Sequence, residues 1–170
     1  MPEPVVADGS TRGLTWSEFR SRQPGLATAG QELLYQFGVG LAFLSTVRPN
    51  GGPRLHPICV LLTDDGVYAF LIPSPKLSDL RRDARYALHS YPRENDEDAF
   101  YVTGRVNMVD SPELRARLER QFLDERAEFA LPEDSLRDQG LVEYLIERCL
   151  VTRTVGHGDA NPRHEIWRAR

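Results

Sequence analysis

The spacing of hydrophobic residues divides the chain into a short helical beginning and a longer part with the texture of a β protein. Thr15 to Glu18 has the spacing of a helix capping box ahead of an apolar residue, which predicts a helix start. A second helix is predicted over Gly30 to Phe37, where apolar residues recur on one side. Residues 1–13 show neither pattern, so we expect a flexible N-terminal arm followed by a single domain over residues 14–170.

From Leu41 onwards, short apolar runs alternate with turn residues, which is typical of β-hairpins. The run from Val142 to Val155 has two interpretations, because part of it also has helical spacing. We favour a long bent strand. Short helices are predicted over Lys76 to Asp83 and from Ser111-Pro112-Glu113, where the proline suits a first helical position. About six antiparallel strands with few, peripheral helices predict a mainly β fold, a small barrel rather than a parallel sheet. The predicted strands are Leu41 to Arg48, Arg54 to Leu62, Val67 to Ile72, Tyr86 to Tyr91, Phe100 to Val109, Val142 to Val155 and His164 to Arg168.

Composition and charge exclude several classes of partner. The 170 residues include 25 acidic and 21 basic side chains, and the basic ones are scattered, so no nucleic-acid partner is predicted. The longest apolar runs, Ile58 to Leu62 and Tyr68 to Ile72, fall far short of the ~20 residues that cross a bilayer, so no membrane partner is predicted. The first residues do not resemble a signal peptide, and we expect a cytoplasmic protein. Cys59 and Cys149 lie in apolar segments, which fits buried, reduced thiols.

The motifs of several enzyme classes are missing from the sequence. It contains neither a phosphate-binding glycine loop of the P-loop or dinucleotide type nor the Gly-x-Ser-x-Gly elbow of serine hydrolases. His157, Asp159 and His164 are close enough in sequence to suggest metal ligands, but their spacing matches no recognised site. We interpret that segment as a polar loop and predict no metal.

Two groups of residues have the chemistry to bind an anion. Arg54 and His56 are two residues apart on a predicted strand, so their side chains share one face, which is either a ligand-facing or a solvent-facing one. Ser74-Pro75-Lys76 begins a predicted helix, where free amides and the helix dipole favour negative charge. Lys76 is the only lysine in the sequence, and every other Lys or Arg is an arginine. A capped helix with a solvated basic edge is the alternative interpretation of this second group.

Taken in order, four segments resemble the pyridoxamine 5′-phosphate oxidase-like family. They are Leu44 to Pro57, Asp65 to Phe70, Pro73 to His89 and Val102 to Val106, and the most specific stretch is residues 74–89. The resemblance is clear over residues 14–110 and looser beyond them. It implies an FMN-binding split β-barrel of six antiparallel strands, and a homodimer with two flavin sites at the subunit interface.

The resemblance also implies which residues bind the flavin. Lys76 matches the lysine that holds the flavin phosphate, next to Ser74, and Leu71 ends the strand before it. Arg54 matches the arginine that opens the strand along the flavin. The remaining matches are His56, Ile58 and Cys59 on that strand and, loosely, Trp167 and Arg168 near the C-terminal end. No side chain stands out as a general acid or base, and His56 is the best-placed candidate.

The sequence departs from the oxidases of vitamin B6 metabolism at three places. Pro75 stands where they have arginine, no glutamine occurs in residues 99–109, and their C-terminal Arg and His pattern is absent from residues 161–170. We therefore expect a flavoenzyme that acts on another small organic substrate with FMN or with the deazaflavin F420. The competing hypothesis is a non-catalytic binding protein for flavin or haem. In a dimer, the loop Arg93 to Asp98 or the helix Pro112 to Arg126 is expected to line the rim of the partner's site.

Overall fold

The computed structural model describes residues 12–170, so most of the predicted arm over residues 1–13 lies outside the described residues. These residues form four α-helices and eight β-strands. The helices are α1 (Trp16–Arg22), α2 (Pro24–Leu34), α3 (Pro75–Arg82) and α4 (Pro112–Glu125), and a 3-10 turn (Ala127–Phe129) follows α4. The strands are β1 (Leu41–Val47), β2 (Pro53–Cys59), β3 (Leu61–Leu62), β4 (Val67–Leu71), β5 (Arg85–Ser90), β6 (Ala99–Met108), β7 (Gly140–Arg153) and β8 (Arg163–Arg168).

The two N-terminal helices follow the sequence pattern only in part. The predicted capping box is present: the Thr15 hydroxyl accepts from the Glu18 amide, and the Glu18 carboxylate accepts from the Thr15 amide at 2.9 Å. The prediction for the second helix was wrong at both ends, because α2 begins at Pro24 and ends at Leu34. Small residues on its buried face, including Gly30 against the ring of Phe100, produce little hydrophobic periodicity.

The strands form one antiparallel sheet in the order β2-β1-β5-β6-β7-β4-β3, with β8 added to β7. The strand predicted over Arg54 to Leu62 is divided into β2 and β3, and only Val60 separates them. Because β2 and β3 lie at the two ends of this order yet are consecutive in the chain, the sheet must curl back on itself. The fold is therefore mainly β with peripheral helices, as predicted, and its curled antiparallel sheet is a split barrel. Residues 12–170 contain eight strands rather than the six expected, in part because one predicted strand is divided into β2 and β3.

Strand β7 confirms the prediction of a long bent strand. On one side it pairs with β6 along its length, and on the other it pairs first with β4 and then with β8. The β6–β7 register shifts between Thr103 and Gly104, which marks a β-bulge. A Cβ atom at Gly104 would lie 1.9 Å from the Leu145 carbonyl oxygen, so only glycine fits at this bulge.

The hydrophobic core lies between the inner face of the sheet and the helices. Its largest fully buried side chains include Trp16 and Phe19 of α1, Leu33 of α2 and Phe100 of β6. A second cluster forms where α4 covers the β3–β4 hairpin, and it includes Leu118, Phe122, Phe70, Tyr68 and Leu136. Among residues 12–170, no helix has the length and hydrophobicity that a membrane crossing requires.

Candidate functional site

The N terminus of α3 presents donors that have no partner in the described residues. Ser74 is the N-cap residue, but its hydroxyl donates to the Ile72 carbonyl at 2.8 Å and does not cap the helix. Pro75 has no N–H, and the amides of Lys76 and Leu77 make no hydrogen bond within residues 12–170. Two backbone amides at the positive end of a helix are therefore free to bind an anion.

The side chain of Lys76 belongs to the same group of donors. It is half-buried, and its ammonium forms neither a hydrogen bond nor an ion pair with any residue that the structure describes. Burial lowers the pKa of Lys76, because the charged form loses hydration without gaining a partner. Binding an anion therefore stabilises this ammonium more than it would stabilise a fully solvated one.

A buried carboxylate one helical turn further along α3 joins the helix to strands β1 and β2. Asp79 is only 2% exposed and accepts from Arg54 Nε at 2.7 Å, from the Thr46 hydroxyl at 2.9 Å and from Arg82 Nη1 at 3.2 Å. Burial alone would raise the pKa of Asp79, but these three donors outweigh it and hold the pKa below its ordinary value. Asp79 is therefore ionised and fixes the guanidinium of Arg54.

The rest of β2 divides the predicted residues between two faces. Arg54, His56 and Ile58 pair with inward-facing residues of β1 and so lie on the inner face, whereas Cys59 lies on the outer one. Ile58 is buried in the core, Cys59 is half-buried, and His56 is exposed without a hydrogen bond in the described residues. The face shared by Arg54 and His56 is thus the barrel side of the strand, and it is open to solvent at His56.

Two predicted residues lie apart from this group. Leu71 is 1% exposed and packs in the core, so its side chain does not face a ligand in this structure. Trp167 lies on β8, opposite Cys149 of β7, and the centroid of its ring lies 5.2 Å from that of the Phe19 ring. The structure therefore gathers Arg54, Ser74 and Lys76 around α3, and within one chain it gives Trp167 a place in the core.

The three residues considered as metal ligands make hydrogen bonds within loops and between strands. The Asp159 carboxylate accepts from the amides of Val155 and Asn161, and His157 Nε2 donates to the Glu94 carbonyl at 2.8 Å. His164 Nδ1 lies 2.9 Å from the Thr152 hydroxyl on the neighbouring strand. In the described part of the chain, no three His, Cys, Asp or Glu side chains form a group that could hold a metal ion.

A cleft of about 500 Å³ between α1, α2, α4 and the β3–β4 turn was not predicted. Its charged side chains largely pair with one another, as in Arg20–Asp64 at 2.7 Å and Arg117–Asp65 at 3.2 Å. It contains none of the predicted site residues. We therefore take the unpaired donors of α3, and not this cleft, as the candidate site.

Comparisons with solved structures identify the fold. A Clostridium acetobutylicum protein of the pyridoxinephosphate oxidase family, related to general stress protein 26 of B. subtilis, matches with a TM-score of 0.57 and 13% identity over 89% of this chain and 95% of that one. This chain has the pyridoxamine 5′-phosphate oxidase-like split-barrel fold. At this level of identity the likeness concerns the fold alone.

Other proteins with the split-barrel fold are described as haem proteins. HutZ, the heme storage protein from Vibrio cholerae, matches with a TM-score of 0.58 and 16% identity over 74% of this chain and 89% of that one. A heme binding protein from Mycobacterium smegmatis matches with a TM-score of 0.60 and 15% identity over 83% of this chain, which spans only 57% of that protein. No protein-family model and no curated protein sequence matches the chain.

Proposed function

We propose that the chain binds FMN, with the flavin phosphate at the N terminus of α3, and acts as a flavin-dependent oxidoreductase on a small organic substrate. The observation that carries this proposal is the unpaired, half-buried ammonium of Lys76 beside two free backbone amides. A phosphate supplies the negative charge and the acceptor oxygens that these donors lack. The fixed guanidinium of Arg54 adds two Nη groups that have no partner in the described residues.

The chain's own contribution is to hold and orient the ligand. FMN, when bound, supplies the hydride or electron transfer. The donors of α3 anchor its phosphate, and the inner face of β2 provides a surface beside the ring. His56 is exposed on that face, and we assign it the exchange of a proton with the substrate. Pro75 contributes no donor, so the phosphate depends on Lys76 more than it would if arginine stood there.

The test is the identity of the ligand that copurifies with the protein, followed by a titration of the ligand-free protein. We expect a yellow protein that releases FMN, or a colourless one that binds added FMN more tightly than riboflavin. If the released ligand is F420, the phosphate site stands and the flavin is replaced by a deazaflavin. A protein that takes up neither FMN nor F420 would overturn the proposal.

We also propose a homodimer formed through the outer face of the sheet. One cross-strand row on this face carries mostly apolar side chains, and the exposed Leu55 lies beside it. The row is Pro57, Phe43, His89, Tyr101, Leu150 and Ile166. Leu55 is 64% and Ile166 51% exposed, and a continuous apolar face of this kind is typical of an interaction surface. A second copy of the chain would cover Leu55 and the row together. Sedimentation velocity tests this proposal, with a dimer as the expected result.

Haem is a second candidate ligand, and His89 is the observation that favours it. His89 Nδ1 lies 2.6 Å from the Ser90 carbonyl, which only accepts, so in the neutral imidazole Nδ1 carries the proton and Nε2 has the lone pair. This tautomer suits an axial iron ligand, and the aromatic rings of Phe43 and Tyr101 lie on the same face, so a haem bound here would lie within the proposed dimer interface. A haem titration of the wild type and of His89→Phe decides: equal absorption changes in both would exclude His89 as the ligand.

The two free thiols support the predicted cytoplasmic location. Neither Cys59 nor Cys149 forms a disulfide, and burial raises the pKa of the Cys149 thiol to about 12. A reducing compartment keeps such thiols in this form. Localisation of a tagged protein by cell fractionation tests the proposal.

A further inference from the structure

Asp79 is the buried charge that lies nearest to the proposed phosphate donors. It is one helical turn beyond Lys76 on α3, and its two oxygens accept from three side chains on three different elements. Arg54 reaches it from β2, Thr46 from β1 and Arg82 from α3 itself. Arg82 also donates to the Val47 carbonyl, so the network is tied to the β1 backbone as well.

The geometry of the Arg54–Asp79 contact leaves half of the guanidinium unused. The contact uses Nε, at 2.7 Å, whereas neither Nη group has a partner in residues 12–170. The Arg54 side chain is 21% exposed, and the Asp79 side chain is 3% exposed behind it. A carboxylate that grips Nε fixes the plane of the guanidinium and leaves its outer donors for a ligand.

We infer that Asp79 is a positioning residue for anion binding: it holds Arg54 in the orientation in which the Nη groups reach the phosphate of the ligand. This inference rests on the proposed FMN site and names the residue that sets its selectivity for a phosphorylated flavin. The carboxylate itself does not touch the ligand. Its negative charge is already compensated by Arg54 and Arg82, so it does not repel the phosphate.

The test compares the affinities for FMN and riboflavin, which differ only by the phosphate, in ligand-free protein. For Asp79→Asn we expect FMN binding to weaken about tenfold, because a neutral acceptor holds Arg54 less firmly than a carboxylate. Riboflavin affinity stays unchanged, because riboflavin makes no use of the phosphate donors. The matched control is Asp83→Asn, which removes the same charge just after α3, where it pairs with Arg85 instead.

Thr46→Val provides a second test that leaves every charge in place. It removes the Thr46 hydroxyl, which donates to Asp79 from a position that is 2% exposed. This variant keeps the inference testable if Asp79→Asn does not fold. We expect a smaller loss of FMN affinity in the same direction, again with riboflavin unaffected. If the network had a purely structural role, these substitutions would lower the affinities for FMN and riboflavin equally.

The outcomes separate this inference from the proposed function. If the wild type binds FMN no better than riboflavin, the phosphate site itself is refuted, and the inference falls with it. If the wild type prefers FMN and Asp79→Asn keeps or increases that preference, the phosphate site stands and only the role of Asp79 is refuted.

Discussion

Replacing Lys76 by methionine removes the only lysine ammonium of the chain while keeping a side chain of similar length. In the wild type this ammonium is half-buried and has no partner within the described residues, so a bound phosphate supplies an acceptor that these residues do not. The substitution leaves the two free amides of α3 and the Arg54 guanidinium in place. We therefore expect weaker FMN binding rather than its complete loss.

The size of the effect follows from the kind of contact that is lost. Hydrogen bonds to charged groups contribute about 1.5–3 kcal/mol each, and about 1.4 kcal/mol corresponds to a tenfold change in affinity. One charge-assisted contact from Lys76 to the phosphate therefore corresponds to a loss of about 10- to 100-fold in FMN affinity. Riboflavin affinity is expected to stay the same.

The assay is a fluorescence titration of ligand-free protein with FMN and with riboflavin. Arg81→Met is the matched control, because it removes a positive charge from an exposed position on the same helix, where Arg81 makes no ion pair or hydrogen bond with residues 12–170. We expect this control to bind FMN as the wild type does. Unchanged FMN affinity in Lys76→Met, or an equal loss for both ligands, would refute the assignment of the phosphate to Lys76.

Three further predictions concern stability and assembly. Gly30→Ala is expected to lower the free energy of unfolding by about 1–3 kcal/mol, because the added Cβ would lie 2.7 Å from the ring of Phe100. Gly25→Ala has open space around it and is not expected to lower the free energy of unfolding. Urea denaturation measures both variants. Arg85 lowers the pKa of the Asp83 carboxyl to about 2, so the stabilisation from this ion pair is present above about pH 4 and is lost as the pH falls towards 2. In Asp83→Asn this part of the pH dependence of the unfolding free energy should disappear. An unaltered pH dependence below pH 4 in the variant would contradict the prediction. Leu55→Glu should shift the sedimentation coefficient to that of a monomer, whereas Val155→Glu, at a 95% exposed loop position, should leave the dimer intact.

The strands could be predicted from the sequence because one side of the sheet is buried. In β1 every second residue is buried, so the period of two is visible in the sequence. Strand β4 is buried on both faces and reads as an uninterrupted apolar run, yet the flanking turns still mark its ends. The interruption at Val60 could not be predicted, because it arises where one run pairs with β1 and the next with β4.

The second helix shows how packing can hide a periodic signal. Its buried face includes Ala27, Ala29 and Gly30, which are small because α1 and β6 lie close to it. Such residues hardly register as hydrophobic, so apolar spacing detected only the end of the helix. The missed signal was Pro24, which stands at the first helical position.

The candidate site could be predicted only as far as local sequence and resemblance reach. Both place Lys76 and Ser74 at a helix start, and the structure does so too. The role of Asp79 depends on Arg54 and Thr46, which are 25 and 33 residues away in the sequence and meet it only in the folded chain. The burial of Leu71 likewise depends on the folded chain, because Leu71 pairs with Gly140 of β7 and its side chain joins the core.

Because Lys76 is the only lysine, amine acetylation reports directly on the proposed phosphate site. The acetylation rate of this residue is measured by mass spectrometry in protein alone, with saturating FMN and with riboflavin, and free N-acetyl-lysine in each sample corrects for changes in the reagent. We predict that FMN protects Lys76 and that riboflavin does not. An acetylation rate that FMN leaves unchanged, while the same sample is shown to bind FMN, would contradict the central claim that α3 holds the phosphate.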